Sequence, residues 1–340
     1  MNGTHIWTQI SHPGRQCSRL VSLKPHSPSD VQLKILSNFA PPKAMTESEI
    51  QTAIQHYVDT AELSIEAGFT GVQIHAAHGY LISQFLSPVT NKRTDTWGGS
   101  LENRAKFLLE TVRQVRKAVG KETPVSVKLN SADFQKGGFT LEESAQVAVW
   151  LAEQGIDLLE ISGGTYEQLS LFGRKGDDST LEKPKSEQRE STRLREAYFL
   201  EYASIIQKAL EESNHKVPLL VTGGFRSRTS MNTAIQDSNV DMIGLARPLL
   251  IDPDCANKLL DGSIDDIVIR SLDMGKGIWA TSKYNDVRAL NAQAEVSWYY
   301  RQMLRMAEGN SPDMSMSPLR ALVSHLIREY KIGIGRRLMM

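Results

Sequence analysis

Two spacings of hydrophobic positions alternate along the chain and predict strands and helices in turn. Short apolar runs rich in valine, leucine and isoleucine are typical of buried strands, and apolar residues three and four apart are typical of amphipathic helices. The predicted strands are Gly3–Ile10, Gly71–His75, Pro124–Leu129, Asp157–Ile161, Val217–Thr222 and Val240–Gly244. The predicted helices run from Thr46 to about Ala67, Leu101 to Val119, Thr140 to about Gln154 and about Leu194 to Glu212.

Strands that alternate with helices at this interval indicate right-handed βαβ units and a parallel sheet. No Gly-x-Gly-x-x-Gly motif lies between a predicted strand and a predicted helix, and Gly333-Ile-Gly335 follows no predicted strand, which disfavours a Rossmann fold. The polar residues of interest come directly after strands, as they do at the active-site face of a (β/α)8 barrel. We therefore predict an α/β fold of the TIM-barrel type, incomplete because six strands are recognisable where eight close a barrel.

The chain is predicted to divide into a barrel domain, residues 1–262, and a C-terminal helical extension, residues 263–340. Within the extension, Trp298, Tyr299 and Met303 have helical spacing and are interleaved with arginines, which favours an amphipathic helix that packs on the barrel over RNA or membrane contact. A long charged segment from Thr165 to Thr192 is compatible with a substrate lid or a disordered insertion, and the sequence does not choose between them.

The densest candidate chemistry follows the strand Gly71–His75, where His75, His78 and Tyr80 lie within six residues. Residues three apart on a strand point to opposite faces, so the two histidines can meet only if the strand ends between them. Two converging imidazole N–H groups would stabilise an oxyanion, and a nearby phenol is a plausible proton donor. The alternatives are satisfied core polar residues or a metal pair, but no third ligand is nearby and we predict no metal.

Composition narrows the classes of function. In 340 residues, Lys plus Arg and Asp plus Glu number 39 each, so no net charge would attract nucleic acid or an anionic membrane. The two cysteines, Cys17 and Cys255, argue against a disulfide framework and against an iron–sulfur cluster, which needs four ligands. The first 20 residues contain no apolar signal region and no run of 18 apolar residues occurs, so we expect a cytoplasmic protein.

The run His75-Ala-Ala-His78-Gly-Tyr80-Leu-Ile-Ser-Gln-Phe-Leu-Ser-Pro88, with the segment Asn91 to Arg104 that follows it, resembles the signature of the old yellow enzyme family of FMN-dependent ene-reductases. The resemblance covers roughly Gly3 to Leu260. It implies that NAD(P)H reduces the flavin, that the histidine pair then binds the carbonyl oxygen of a small unsaturated substrate, and that Tyr80 protonates its alpha carbon. With the balanced charge noted above, no nucleic-acid or membrane partner is expected, and a homo-oligomer is left open.

The same resemblance implies the residues that contact the cofactor. The segment Gln9-Ile-Ser-His-Pro-Gly-Arg15 is similar to the family's third barrel strand, in which the glutamine hydrogen-bonds the flavin pyrimidine edge. Lys128 stands where the family usually has an arginine that reaches the flavin N1/O2 edge, and a lysine supplies the charge without the planar fork. The motifs Val-Thr-Gly-Gly-Phe-Arg and Gly-Leu-Ala-Arg-Pro imply an FMN phosphate site at Gly223, Gly224, Ala246 and Arg247.

The first predicted strand resembles the third strand of the family, so the chain is expected to lack the two N-terminal barrel strands. One alternative to an active enzyme is therefore a barrel remnant that acts as a non-enzymatic binding protein. Another alternative is a different phosphate-binding barrel, such as a lyase. The intact triplet of His75, His78 and Tyr80 favours the enzyme.

Overall fold

A computed structural model of the chain describes residues 3–35, 37–164, 200–237, 240–269, 272, 274 and 285–338. Its strands are β1 (Trp7–Ile10), β2 (His26–Ser27), β3 (Lys43–Ala44), β4 (Gly71–Ala76), β5 (Val125–Asn130), β6 (Leu158–Ser162), β7 (Leu219–Thr222) and β8 (Met242–Gly244). The predicted segment Thr165 to Thr192 lies outside the described residues.

Helices connect most of these strands and extend beyond the last one. They are α1 (Glu47–Glu66), α2 (Leu81–Leu86), α3 (Leu101–Val119), α4 (Leu141–Glu153), α5 (described over residues 200–212), α6 (Arg228–Asp237), α7 (Cys255–Asp261), α8 (Asn285–Ala307) and α9 (Pro318–Leu338). Short 3-10 turns lie at Gly14–Gln16 and Arg247–Leu250. Among the described residues, no helix combines the length and apolar character that a bilayer-spanning segment needs.

Six strands form one sheet in the order β1-β4-β5-β6-β7-β8, and every neighbouring pair is parallel. Strands β1 and β8 are the two edges, each paired on one side within the described part of the chain. The predicted incomplete barrel of six strands is therefore confirmed. A second, two-residue parallel pair of β2 and β3 was not predicted, because strands this short show no periodicity.

Alternation along the strands gives the sheet one apolar and one polar face. The side chains that point out toward the helices are fully buried and apolar, as at Val72, Ile74, Val127, Ile161 and Val221. The residues between them point to the inside of the curled sheet, because successive strand residues face opposite sides. This inner face carries Gln9, Gln73, His75, Lys128 and Glu160. The sheet therefore buries its apolar face under helices and presents polar groups inside the barrel.

Helix α1 begins at a capping box formed by Thr46 and Glu49, and Thr46 is the residue at which the sequence predicts the helix to start. The Glu49 backbone N–H donates to Thr46 Oγ1 at 3.2 Å, and the Thr46 backbone N–H donates to Glu49 Oε2 at 2.8 Å. On the buried side of this helix the Tyr57 ring meets the edge of Phe107 from α3, and Phe107 stacks on Phe85 at 4.5 Å. The cap fixes the start of α1, and the aromatic contacts hold α1 against α3 and α3 against α2.

The C-terminal helices pack on the turn that follows β8. Trp298 and Tyr299 of α8 are buried, and Trp298 Nε1 donates to the Met316 carbonyl at 3.0 Å. Their hydrophobic cluster includes Leu250 and Ile251 at the end of the β8 turn. The predicted amphipathic helix therefore exists, while the division of the chain at residues 262 and 263 stays a prediction.

We expect Thr46→Ala to lower the free energy of unfolding by about 1 kcal/mol, because the N3 amide of α1 loses its capping acceptor. Chemical denaturation in urea measures the change. Thr52→Ala on the same helix is the matched control, since Thr52 is exposed and donates to the Ser48 carbonyl at 2.9 Å. Alanine has the higher helix propensity, so the control should keep or slightly gain stability. Equal losses in the two variants would contradict the capping role.

Candidate active site

The strand that carries the site ends between the two histidines. His75 belongs to β4, which ends at Ala76, and His78 has a φ of 61°, a left-handed conformation that is costly for a residue with a side chain. The His78 backbone N–H donates to Asn130 Oδ1 at 3.1 Å, and Gln16 Nε2 donates to the His78 carbonyl at 3.1 Å. Side chains from two other segments therefore hold the turn that the spacing predicts.

The turn brings the two imidazoles together. His75 Nε2 lies 3.2 Å from His78 Nδ1, and we call these the inner nitrogens. The outer nitrogens each meet a serine hydroxyl: His75 Nδ1 lies 3.1 Å from Ser11 Oγ, and His78 Nε2 lies 2.8 Å from Ser162 Oγ. Sequence reasoning missed both serines, because a serine at a strand end has no periodic or motif signal of its own.

Tyr80 completes the group. It is the N-cap residue of α2, and its ring lies 4.9 Å from the His75 ring with an interplanar angle of 52°. The tight turn that reverses the chain after β4 places the phenol beside the imidazole. The structure therefore assembles His75, His78 and Tyr80 at the carboxyl end of one central strand, where TIM-barrel active sites lie.

Both imidazoles are neutral at pH 7. The pKa of His75 is lowered from 6.5 to about 4, mainly by burial and also by the charge of Lys128, while Glu160 opposes the shift. Burial also lowers the pKa of His78 well below its usual range, with Lys128 and His75 acting in the same direction. Each ring therefore offers one N–H donor and one acceptor nitrogen.

A network of four inward side chains lies next to the histidines, and we call it the inner polar network. Lys128 Nζ contacts Glu160 Oε1 at 2.8 Å, and Gln73 Nε2 donates to Glu160 Oε2 at 2.8 Å. Gln9 Nε2 donates to Gln73 Oε1 at 2.6 Å. The network links the predicted cofactor residues Gln9 and Lys128 through two residues that sequence reasoning missed. Glu160 is a single carboxylate within an apolar predicted strand, and this feature of the sequence could have indicated the network.

The register of the strands explains why these groups meet. His75 of β4 pairs with Lys128 of β5, which pairs with Glu160 of β6, so the three residues form one row across the sheet. Two residues further along, Asn130 pairs with Ser162. Asn130 and Ser162, which both contact His78, therefore lie side by side at the ends of β5 and β6.

The predicted phosphate residues follow β7 and β8. Gly223 and Gly224 have φ values of 130° and 86°, a region that disfavours a side chain. Arg247 starts the turn after β8, directly after Ala246, and its Nη1 contacts Glu295 Oε1 of α8 at 3.0 Å. The sequence did not predict the contact between Arg247 and Glu295, because Glu295 lies far along the chain in the helical extension.

The residues present fit FMN in both predicted places. The inner face of the sheet offers an amide and an ammonium group, at Gln9 and Lys128, for a polar ring edge. The glycine pair after β7 leaves room for close backbone approach, and Arg247 supplies a cation in the turn after the neighbouring strand β8. The described ranges hold no cluster of three His, Cys, Asp or Glu side chains that could bind a metal ion.

Acid is expected to destabilise the fold through His75. Its pKa is about 4 in the folded chain against an ordinary 6.5, so the unfolded chain binds the proton first as the pH falls. The stabilisation is complete above pH 6.5 and is lost toward pH 4, with about 2 kcal/mol gone by pH 5.

Urea denaturation at pH 7.5 and pH 5, on the wild type and His75→Gln, measures this loss. The variant should lose less stability over the interval because it lacks the titrating ring. His5→Gln removes an exposed histidine and should behave as the wild type does. A pH dependence that His75→Gln leaves unchanged would show that His75 is not the group responsible.

Comparisons with known proteins identify the family of the chain. A sequence model of the NADH:flavin oxidoreductase / NADH oxidase family matches residues 1–266. An NADH-dependent flavin oxidoreductase of Aspergillus parasiticus is 38% identical over 275 residues, which cover 80% of this chain and 58% of that protein. An NADPH dehydrogenase of Bacillus velezensis is 32% identical over 251 residues, which cover 74% of this chain and 65% of that protein. The chain spans less than two thirds of the length of these relatives.

Solved structures share the fold. A 2-naphthoyl-CoA reductase in complex with 2-naphthoyl-CoA has a TM-score of 0.62 at 29% identity, covering 74% of this chain and 37% of that one. The old yellow enzyme homologue of Zymomonas mobilis has a TM-score of 0.62 at 24% identity, covering 84% of this chain and 73% of that one. The predicted family, with its FMN cofactor and nicotinamide reductant, is confirmed, while the roles of single residues stay predictions. The chain belongs to the NADH:flavin oxidoreductase / NADH oxidase family.

Proposed function

We propose that this chain is an FMN-dependent oxidoreductase that uses NADH or NADPH to reduce C=C bonds conjugated to a carbonyl group. The observation that carries the proposal is the imidazole pair, with inner nitrogens 3.2 Å apart beside the Tyr80 ring. Such a pair suits a carbonyl oxygen, because two N–H donors can meet one acceptor. The names of the Aspergillus and Bacillus relatives support the flavin and nicotinamide part of the proposal.

The proposed role of His75 and His78 is to bind and polarise the carbonyl group. Hydrogen bonds to its oxygen draw electrons away from the beta carbon and stabilise the negative charge that grows on the oxygen as that carbon is attacked. Neutral imidazoles are suited to this role, because they donate without giving up a proton. Burial keeps both rings neutral by lowering each pKa.

Tyr80 is the proposed acid. With FMN bound and reduced by NAD(P)H, the beta carbon of the substrate would accept a hydride. The alpha carbon then needs a proton, and the Tyr80 phenol lies beside His75, which would hold the carbonyl end of the same substrate. A phenol O–H placed near the alpha carbon can act as a general acid.

The cofactor would lie along the inner face of the sheet. Gln9 and Lys128 are proposed to hold the pyrimidine edge of the flavin, and the phosphate is proposed to bind at Gly223, Gly224, Ala246 and Arg247. Lys128 is already paired with Glu160, so its charge is partly balanced before any cofactor binds. Such balance would make the site less cationic than one with an unpaired arginine.

The remaining parts of the proposal concern the setting of the enzyme. We propose a small unsaturated carbonyl compound as the substrate and the cytoplasm as the compartment, and a homo-oligomer remains open.

A barrel remnant that binds ligands without catalysis is the second candidate, favoured by the two sheet edges that are paired on one side within the described residues. Colour distinguishes the two: the purified enzyme should be yellow with one FMN per chain, whereas a remnant would stay colourless after reconstitution.

We expect Tyr80→Phe to slow reduction of an enone by at least about 100-fold while leaving flavin reduction by NAD(P)H close to the wild-type rate. The reason is that only the step with the alkene needs a proton donor. Stopped-flow absorbance at the flavin band measures the two half-reactions separately. Equal slowing of both half-reactions would remove Tyr80 from the acid role.

The double variant His75→Ala with His78→Ala should abolish the charge-transfer band that a phenol gives when it binds over the oxidised flavin. Both donors to the phenol oxygen are removed, so the ligand loses its anchor. Absorbance at long wavelength during a phenol titration measures the band, and the flavin content of the variant serves as the control. An unchanged band would refute the assignment of the histidines.

A further inference from the structure

Four side chains form one continuous row of hydrogen bonds through the site, which we call the serine–histidine row. Ser11 Oγ lies 3.1 Å from His75 Nδ1, and the inner nitrogens of the two histidines lie 3.2 Å apart. At the other end, His78 Nε2 lies 2.8 Å from Ser162 Oγ. We propose that Ser11 and Ser162 are positioning residues that set the imidazole tautomers, and that an acceptor oxygen switches one of these tautomers when it binds. The inference rests on the proposed function, since it concerns the same carbonyl site.

Without a ligand, the row has only two consistent arrangements. A neutral imidazole carries one N–H and one bare nitrogen, so the bond between the inner nitrogens needs one donor and one acceptor. All three bonds form together only when they point the same way, from Ser11 toward Ser162 or in reverse. In the first arrangement both rings carry the proton on Nε2, and in the second both carry it on Nδ1. The free site therefore holds two histidines in the same tautomer.

A carbonyl oxygen changes this requirement, because it accepts hydrogen bonds and has no proton to donate. Both inner nitrogens must then be donors, with the proton of His75 on Nε2 and the proton of His78 on Nδ1. The two tautomers are now opposite, and both outer nitrogens are bare. The row keeps the same number of protons: one imidazole moves its proton to its other nitrogen, and one serine hydroxyl turns from acceptor to donor.

Serine suits the ends of such a row, because a hydroxyl can donate or accept by rotating. The two ends differ in exposure. Ser162 is buried, with 6% of its surface exposed, whereas Ser11 is exposed and directly follows the edge strand β1. Water can therefore replace the Ser11 hydroxyl more easily than the Ser162 hydroxyl. We infer that Ser162 has the larger influence on the tautomers.

The tautomers can be read directly by 15N NMR of the full chain labelled at histidine. His75→Gln and His78→Gln assign the signals. In the ligand-free wild type at pH 7, both histidines should show the same tautomer, and cyclohexenone at saturation should make them opposite. Ser162→Ala should shift the ligand-free tautomer populations of both rings and weaken the affinity for cyclohexenone about tenfold, since a buried hydrogen bond to the imidazole is lost.

Ser126→Ala is the matched control. Ser126 is a buried serine on the inner face of β5, and its hydroxyl has no partner among the described residues. This variant should leave the tautomers and the affinity unchanged. Opposite tautomers in the free wild type, or unchanged tautomers in Ser162→Ala, would overturn the inference. If cyclohexenone does not change the tautomers of the wild type, the proposed function is overturned instead. The comparison of ligand-free wild type with ligand-free Ser162→Ala still decides the role of Ser162.

Discussion

The hydrogen bond from the His78 backbone amide to the Asn130 side chain is the interaction on which the site depends. It joins the turn after β4 to the end of β5 and supports a left-handed backbone that would otherwise be unfavourable. Asn130 is in turn held by Asp133 Oδ1 and the Gly164 carbonyl, each at 3.1 Å. If the turn relaxed into extended backbone, His78 would point to the opposite face of the sheet from His75, and the donor pair would be lost.

The polar interior of the barrel is the second constraint. An ammonium and a carboxylate that are mostly shielded from water need each other, because an unpaired charge there is costly. Lys128 and Glu160 meet this need as neighbours in register, and Gln73 satisfies the second carboxylate oxygen. The same charge of Lys128 helps to keep the histidines neutral. The inner polar network therefore links the proposed cofactor site to the protonation state of the two histidines in the proposed substrate site.

The helical extension also takes part in the site. Glu295 of α8 pairs with Arg247, so the side chain proposed to bind a phosphate is oriented by a helix outside the barrel. Burial raises the pKa of Tyr299, one turn further along the helix, with Glu295 acting in the same direction and Arg247 opposing it. Packing of α8 on the β8 turn is thus coupled to the electrostatics of the loops at the end of the sheet.

The sequence by itself determined the local features of this protein. The capping residue Thr46, the helix Leu101–Val119, the order of strands and helices and the turn between His75 and His78 all follow from short-range spacing, because caps and periodicity involve residues a few positions apart. The family signature likewise lies in one continuous segment, and it carried the prediction of flavin chemistry.

Only the tertiary structure decided which groups surround that segment. The partners Ser11, Ser162, Glu160 and Glu295 come from other strands and from a distant helix, and strand register and helix packing bring them within hydrogen-bond distance. A sequence pattern shows which side chains one element offers. It does not show which side chains lie next to each other across a sheet, because that depends on the register of the parallel strands.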